Sequence, residues 1–422
     1  MKEPIDLLLI GNGFDLHYNL PTTYTCFLDV LECIRVRIEQ GEEVNSVAQV
    51  LGDHRLEKNG AIKRCRQRYG DNYDAVIESD SLDQLVACAT KNQWFRYFLS
   101  ASLENDNWVD FEQEIKGVCK EFAVLFQSIK SGDDNLLQLK SEVEYAWSIC
   151  SQFPFFFDKE AVDKRLKQGI DVFLLDCVDP NYVHKLPSQV DVFCLDCKRI
   201  VNDLSKSLRE LADTLSLYLT QFVDWPVKNY VDKGNPFYDK FLDDRNWNHT
   251  KVVSLNYTHT LAYLGQLPKR ILEMFFIHGE LRNSRIVLGI NADEKDDIGF
   301  MDLTFLPFKK YSQRVYYNTD KIYLSFVSQV RDRVNGYIIN TLYVIGHSLD
   351  STDKEIITEC FDYARNIIVF FHEETEVAKY IHNLVSIYGK QKFDELRLEK
   401  NLTFIPIEEM QLGSAEFEKK YN

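Results

Sequence analysis

The sequence lacks the features that mark membrane, secreted and duplex-binding proteins. No apolar run approaches the ~18 residues that a membrane-spanning helix needs. The opening MKEPIDLLLIGNG has an early acid and too short an apolar run for a signal peptide. Positive charge is scarce, since 49 Lys and Arg stand against 65 Asp and Glu, a formal net charge of −16. Nucleic-acid binding is therefore disfavoured, and we expect a cytoplasmic protein without membrane contact.

Cysteine spacing gives no sign of a metal site or a disulfide framework. The ten cysteines are scattered, and the lone CxxC of Cys194 and Cys197 has no second pair. Buried or surface thiols are thus favoured over zinc or redox chemistry, and no metal is predicted. The chain is 45% hydrophobic with 28 Phe and 22 Tyr, which indicates a reduced globular protein with a sizeable core.

The stretch from Ile5 to Tyr24 organises the chain. Its apolar run, Asp6 to Ile10, predicts a buried parallel strand, and a glycine pair follows at Gly11 and Gly13 before a helical pattern begins. A strand-to-helix junction of this kind is where nucleotide phosphates bind. The motif lacks the third glycine of GxGxxG and the GK[ST] of a P-loop, so a tight turn without a ligand remains an equal alternative.

Residues 42–245 carry few strand patterns. Gly41 to Asp83 is polar and interrupted, which predicts a surface excursion that has room for a short helix, and Leu82 to about Lys130 has helical periodicity. Lys198 to Asp224 predicts a long amphipathic helix with a leucine spine. We therefore expect residues 42–245 to form a large, mostly helical insertion.

Strands and helices alternate over residues 246–422. Apolar runs predict strands at Val252–Leu255, before His278, at Arg285–Asn291, before Gly346, before His372 and in the final NLTFIPIEEM. Thr352 and Glu355 have the spacing of a helix capping box. This alternation predicts an α/β fold with a Rossmann-like, mainly parallel sheet, to which residues 1–41 contribute the first βα unit and residues 246–422 the remainder.

Polar residues gather where five predicted strands end, which is the ligand-binding edge of a parallel sheet. Each of them alone is more often a cap or a turn, but together they favour a site. They are Gly11, Asn12, Gly13 and Asp15; Asn256, Tyr257 and Thr258; His278 and Gly279; Gly346, His347, Ser348 and Asp350; and His372 and Glu373.

Several segments resemble the motifs of the AbiH family, named for bacteriophage abortive infection. They are GNGFDLHYNLPTTYTCFL, NWVDFEQEI, SLNYTHTL, FIHGEL, VLGIN, FKKYSQRV and VIGHSLDSTD. They extend from Gly11 to Asp353, which is most of the chain. The resemblance implies an antiphage role, with a homo-oligomer or a partner defence protein as the expected assembly.

The order of the motifs is also similar to that of the sirtuin NAD-binding fold. The matching places hold Gly11-Asn12-Gly13 with Leu20-Pro21, Asn256-Tyr257-Thr258, His278-Gly279, Gly346-His347-Ser348 and Phe371-His372-Glu373. Thr258 stands where sirtuins usually have an Asp that contacts the carboxamide. The sirtuin zinc module is absent from the sequence, so protein deacetylation is not expected.

This second resemblance implies NAD as substrate or ligand and assigns roles to residues. Asn256 would orient the ribose or an attacking water, and His278 would act as general base, as suits imidazole near neutral pH. The other implied nucleotide-binding residues surround the phosphates and the adenine ribose. They are Gly11, Asn12, Gly13, Asp15, Thr258, Gly346, His347, Ser348, Asp350 and Glu373.

Three functions remain open from the sequence. The first is an enzyme that hydrolyses the N-glycosidic bond of NAD or a related nucleotide. The second is a non-catalytic module that senses a nucleotide and mediates assembly. The third is a metal-dependent nuclease that uses scattered acids such as Asp15, Asp110, Glu112 and Asp350 with Mg²⁺.

Overall fold

A computed structural model describes most of the chain and divides it into two compact units. The described residues are 3–101, 108–130, 148–150, 152–153, 178–185, 193–230, 238–243, 245–264, 274–281, 285–291, 304–332, 336, 338–412 and 420. Unit 1 comprises Met1–Val86, Asp213–Val287 and Arg314–Asn422. Unit 2 comprises Ala87–Ala212 and Leu288–Gln313.

Helices and strands both contribute to the described part of the chain. The strands are β1 (Ile5–Ile10), β2 (Val183–Lys185), β3 (Phe193–Leu195), β4 (Thr250–Ser254), β5 (Met274–Phe276), β6 (Ile339–Ile345), β7 (Ala364–Phe371) and β8 (Thr403–Pro406). The α-helices are α1 (Asn12–His17), α2 (Tyr24–Glu39), α3 (Val47–Leu51), α4 (Gly60–Tyr69), α5 (Ser79–Lys91), α6 (Gln93–Ser100), α7 (Trp108–Lys130), α8 (Cys197–Leu219), α9 (Trp225–Tyr230), α10 (Tyr238–Asp243), α11 (Thr260–Leu264), α12 (Lys310–Tyr317), α13 (Lys321–Arg331), α14 (Lys354–Tyr363), α15 (Glu374–Tyr388) and α16 (Lys390–Glu399). None of these described helices is long and apolar enough to cross a membrane.

Unit 1 is built on a six-stranded sheet in the order β5-β4-β1-β6-β7-β8, and every neighbouring pair is parallel. The predicted α/β fold with a parallel sheet is thereby confirmed. The central strands are apolar on both faces because helices cover both, and Leu7, Leu9 and Val344 are buried in one core. The strand order reverses at β1, so the crevice beyond β1, β4 and β6 is the ligand position expected for such a sheet.

Two local predictions are wrong. Arg285–Asn291 forms no strand beyond an isolated bridge at Ile290, because the Gln313 side chain bonds to the Leu288 N–H and carbonyl at 3.0 and 2.8 Å. A strand ladder needs those same backbone groups. The capping box is also absent, since Asp350 accepts from the Thr352 N–H and Glu355 pairs with Arg314 instead.

The segment after α2 is part of the folded unit rather than a surface excursion. Val47 and Leu51 of α3 and Ile62 and Cys65 of α4 are buried in unit 1. That prediction was wrong because the apolar residues are few and spaced at single turns. Residues 42–86 and 213–245 belong to unit 1.

The long helix predicted over Lys198–Asp224 is confirmed. It is observed as α8, which is continued by a π-helical turn over Thr220–Asp224. In unit 2, α6 buries Trp94, whose indole Nε1 donates to the Leu204 carbonyl at 3.0 Å and whose ring contacts Phe98 and Phe153. Unit 2 therefore has an aromatic core of its own.

Candidate functional site

The turns that follow β1 and β6 are packed backbone against backbone. The Gly11 N–H donates to the Ile345 carbonyl at 3.0 Å, and the Gly13 N–H donates to the Gly346 carbonyl at 2.7 Å. Gly346 has a φ of +65°, and a Cβ placed there would lie 2.2 Å from the Phe14 nitrogen. The glycines allow this close approach, and both amide donors are already used within the protein.

Asp15 is the buried acid of this turn. It lies on α1, is 1% exposed, and its Oδ2 accepts from the Thr258 hydroxyl at 2.6 Å. Burial raises the pKa of Asp15 to about 7, although the Thr258 hydrogen bond opposes the shift. Asp15 is thus a carboxyl group that titrates near neutral pH, and it joins the first predicted strand end to the second.

Asn256 is held at the end of β4 by main-chain contacts. Its Nδ2 donates to the Gly11 carbonyl at 3.0 Å, and its own N–H donates to the Ser254 hydroxyl at 3.2 Å. Asn256, Asp15 and Thr258 help to line a cavity of about 10 Å³. That volume accommodates about one water molecule, so this part of the site is closely packed.

Two histidines, one after β5 and one after β6, share one carboxylate. His278 follows β5, and its Nε2 lies 2.9 Å from Asp353 Oδ1. His347 follows β6, and its Nε2 lies 3.3 Å from Asp353 Oδ2. Asp353 was not among the predicted site residues, although it ends the GHSLDSTD segment. The three side chains are buried or nearly so, which strengthens their electrostatic interactions.

The hydrogen bonds of this cluster indicate which nitrogen of each imidazole carries the proton. The Leu349 N–H donates to His347 Nδ1 at 3.0 Å, so neutral His347 carries its proton on Nε2 and donates to Asp353. A carboxylate that accepts from His278 Nε2–H leaves Nδ1 of that ring as the basic nitrogen. This is the arrangement in which an Asp orients a catalytic histidine.

A second buried cluster surrounds His259, which sequence reasoning missed. Its Nδ1 lies 2.5 Å from Asp224 Oδ2, and its Nε2 lies 3.3 Å from Glu280 Oε2. Burial lowers the pKa of His259, but the hydrogen bonds and charges of Asp224 and Glu280 outweigh it and raise that pKa to about 9. His259 is therefore an imidazolium at neutral pH. It follows Thr258 in the SLNYTHTL segment, and the charge of Asp224 also raises the pKa of Asp15.

The remaining predicted residues lie around these clusters. The Ser348 carbonyl accepts a hydrogen bond of 2.9 Å from Asn383 Nδ2. Asp350 caps the short helical turn that precedes α14. Glu373 is exposed after β7, where its carboxylate accepts from the Thr375 hydroxyl at 3.4 Å. Asn12 is half-buried at the start of α1. In the structure Asp15 contacts Thr258, and His278 and His347 both contact Asp353. Glu373 and Asp350 lie nearer the surface.

Two histidine rings stack at the edge of this strand-end region. His372, which follows β7, lies with its ring centroid 3.5 Å from that of His17 at the end of α1. Burial and the neighbouring charge of His372 lower the pKa of His17 to about 3. His17 is therefore neutral over the physiological pH range.

The acids proposed for a nuclease do not form a metal site in the described residues. Glu112 forms a buried ion pair with Lys310 at 2.7 Å in unit 2, and the side chain of Asp110 lies outside the described residues. Within the described part of the chain, no group of three or more His, Cys, Asp or Glu is placed to hold a metal ion. The described cysteines form no disulfide, and the side chain of Cys194 is not among the described ones.

Comparison with known proteins gives one match. The family model described as "Bacteriophage abortive infection AbiH" matches residues 7–372, which is more than half of the chain. The match includes the strand-end segments of β1, β4, β5, β6 and β7. No curated protein and no solved structure matches the chain.

Proposed function

Because the chain belongs to the AbiH family of bacteriophage abortive infection proteins, we propose that it acts by binding NAD or a related nucleotide and hydrolysing the N-glycosidic bond. The observation that carries this proposal is the contact between His278 and Asp353 at the carboxyl edge of a parallel sheet. That edge is the usual ligand position of such sheets. An oriented imidazole is also the commonest general base near neutral pH.

The reaction uses water as the nucleophile. Water attacks C1′ of the nicotinamide ribose, the bond from C1′ to the ring nitrogen breaks, and nicotinamide leaves with the bonding electrons. His278 takes the proton that water loses, and Asp353 stabilises the resulting imidazolium. Asn256, fixed by the Gly11 carbonyl, orients the ribose or the water. The products are ADP-ribose, nicotinamide and one proton.

The packing of the two glycine turns sets a condition on this function. Gly11 and Gly13 already donate to carbonyls of β6 and its turn, and the nearby cavity holds about one water. A dinucleotide therefore needs the turns after β1 and β6 to move apart. An effector that must spare NAD in uninfected cells benefits from such a closed resting arrangement.

The test is incubation of the purified protein with NAD⁺, with nicotinamide release followed by chromatography. His278→Ala and Asn256→Ala are expected to lower release by about 10²-fold or more. His382→Ala is a matched control, because His382 is exposed on α15 and lies outside the clusters. Full release by both site variants would overturn the mechanism.

A non-catalytic nucleotide sensor is the second candidate, and the closed glycine turns favour it. A ligand that must separate the turns after β1 and β6 in order to bind changes the conformation of the protein, and a sensor needs that change but no turnover. Calorimetry separates the two functions. Saturable NAD binding without nicotinamide release, in phage-infected extract as well as in buffer, would assign the sensor.

A further inference from the structure

We propose that unit 1 contains a second ligand site, a cleft between α3, α4 and the turn after α4, which binds a small organic phosphate of nucleotide size. None of the predicted strand-end residues lines this cleft. The proposal does not depend on the hydrolase, because it concerns different residues and a different measurement.

The cleft has the size and lining of a small-molecule site. Its volume is about 520 Å³, within the ~300–1,000 Å³ typical of ligand pockets. Leu51, Cys65 and Tyr73 supply a buried, largely apolar floor. Lys63 and Arg66 of α4 line it as exposed residues. An apolar floor with a few charged groups suits a ligand that has a flat organic part and an anionic part.

The charge of this segment is opposite to that of the chain. Residues 58–68 contain five Lys and Arg and no acid, in a protein with a net charge of −16. Lys63 and Arg66 are one helical turn apart, so their Cβ atoms are separated by about 5–6 Å. Both side chains therefore extend from the same face of α4, and their charged ends can contact adjacent phosphates of one ligand.

These two cations have no carboxylate partner among the described residues. Two other cations of unit 1 are paired, since Arg37 and Arg55 both contact Asp53, at 2.6 and 2.8 Å. Because unpaired cations beside a cleft keep their charge available, an anionic ligand supplies the missing partner.

The inner face of α4 is anchored, so the cleft is formed before a ligand arrives. The Tyr69 hydroxyl donates to the Tyr18 carbonyl, and the Arg68 guanidinium donates to the His17 carbonyl at 3.5 Å. The rings of Tyr69 and Tyr73 stack with centroids 5.3 Å apart. A preformed site binds without a large ordering cost.

A small ligand fits these features better than a nucleic acid does. Binding to a nucleic-acid backbone needs an extended positive surface, whereas here Glu57 also lines the cleft and the whole chain is acidic. Glu57 repels a phosphate at short range, so it limits affinity. Glu57→Gln is therefore expected to strengthen binding.

The test is photolabelling of the full chain with 8-azido-ADP followed by peptide mapping. The variants are made in an Asn256→Ala, His278→Ala background, so that the proposed hydrolysis does not contribute, and peptide mapping separates label at the strand ends from label in the cleft. We expect the label to lie within residues 48–73. The amount of label should fall by about tenfold or more in the double variant Lys63→Glu, Arg66→Glu, and it should rise in Glu57→Gln. Arg64→Glu, a single charge reversal on α4 outside the cleft, should keep the label.

Three outcomes would overturn the proposal. The first is label confined outside residues 48–73, and the second is label that the Lys63 and Arg66 changes leave intact. The third is displacement of 8-azido-ADP by a single-stranded DNA oligonucleotide at lower concentration than by ADP, which would assign the surface to nucleic acid. Circular dichroism melting checks the fold, and Lys63→Ala, Arg66→Ala replaces the Glu variant if that variant unfolds.

Discussion

Asp353 Oδ1 lies 2.9 Å from His278 Nε2, although 75 positions separate the two residues in sequence. The contact joins the turn after β6 to the end of β5. His347, through its bond to the other oxygen of Asp353, holds the carboxylate from the opposite side. The base proposed for the reaction, which follows β5, is therefore positioned by two residues that follow β6.

The first prediction concerns that carboxylate. Asp353→Asn keeps the shape of the side chain but removes its charge and changes the proton arrangement on His278. We expect nicotinamide release to fall by about 10²–10⁴-fold with little change in melting temperature. Asp362→Asn, at a partly exposed acid that pairs with Lys392, is the control. Unchanged release in Asp353→Asn would show that His278 does not act as the base.

The second prediction concerns the glycine at the turn after β6. Gly346→Ala places a Cβ 2.2 Å from the Phe14 nitrogen, whereas Gly41→Ala meets nothing within 4 Å. The φ angles are +65° and +72°, so the conformational strain is similar in the two variants. We expect Gly346→Ala to lower the free energy of unfolding by at least about 2 kcal/mol more than Gly41→Ala. Equal losses in chemical denaturation would contradict the observed packing.

The third prediction is a loss of stability with rising pH that depends on His259. Its pKa in the folded protein is about 9, above the ordinary 6.5. The stabilisation is therefore complete below pH 6.5 and is lost as the pH rises through 9. From ~1.4 kcal/mol per pKa unit, the loss is on the order of 3 kcal/mol. The melting temperature of the wild type should fall as the pH rises over this range.

His259→Gln should flatten that decline and be less stable at pH 6. His249→Gln is the control, since His249 is only half-buried and its Nδ1 lies 3.3 Å from Glu3 Oε2. An identical pH dependence in wild type and His259→Gln would mean that Asp224 and Glu280 do not hold a charged imidazole.

The fourth prediction concerns Asp15, whose pKa is raised from 3.8 to about 7 by burial. A raised carboxyl pKa means that the folded state binds the proton more tightly, so stability falls as the pH rises from about 4 to 7. Asp15→Asn should remove this slope and be the more stable protein at pH 8. The same change of stability with pH in the wild type and in Asp15→Asn between pH 4 and 7 would contradict the raised pKa of Asp15.

The fifth prediction separates a structural role of Glu112 from a metal-binding one. Glu112→Gln and Lys310→Met each leave a buried charge without its partner and should cost about 3–5 kcal/mol. The double variant should cost less than the sum, because neither charge remains. Additive losses of stability in urea denaturation would contradict the structural role of the ion pair. A Mg²⁺-dependent nuclease activity that is present in the wild type and absent from Glu112→Gln would indicate a metal-binding role instead.

The parallel sheet could be predicted because each of its central strands carries its own signal. A strand covered on both faces carries a continuous apolar run, and β1, β6 and β7 each contain one, over residues 7–10, 342–345 and 367–371. Arg285–Asn291 has the same composition, but the Gln313 side chain takes the backbone groups of Leu288. The apolar composition of this segment predicts its burial, but it does not predict which groups its backbone bonds to.

The sequence predicts which residues follow the strands, but it does not predict which of these side chains contact one another. Asp15 and Thr258 were each expected at a strand end, but their contact spans 243 positions and has no local signal. His259 was missed because its partner Asp224 lies in another helix, at the end of a π-helical turn. The clusters therefore depend on tertiary packing that a single sequence does not reveal.

The most direct test of the central claim is the NAD content of phage-infected cells. Cells that express the wild type or His382→Ala are expected to lose NAD and to restrict phage, whereas cells with His278→Ala or Asp353→Asn should keep NAD and allow plaques. Infected cells are used because the turns after β1 and β6 must move apart before NAD binds, and a trigger for that movement is expected only during infection. Restriction of phage by the wild type with NAD unchanged would contradict the account and leave the strand-end clusters without a hydrolytic role.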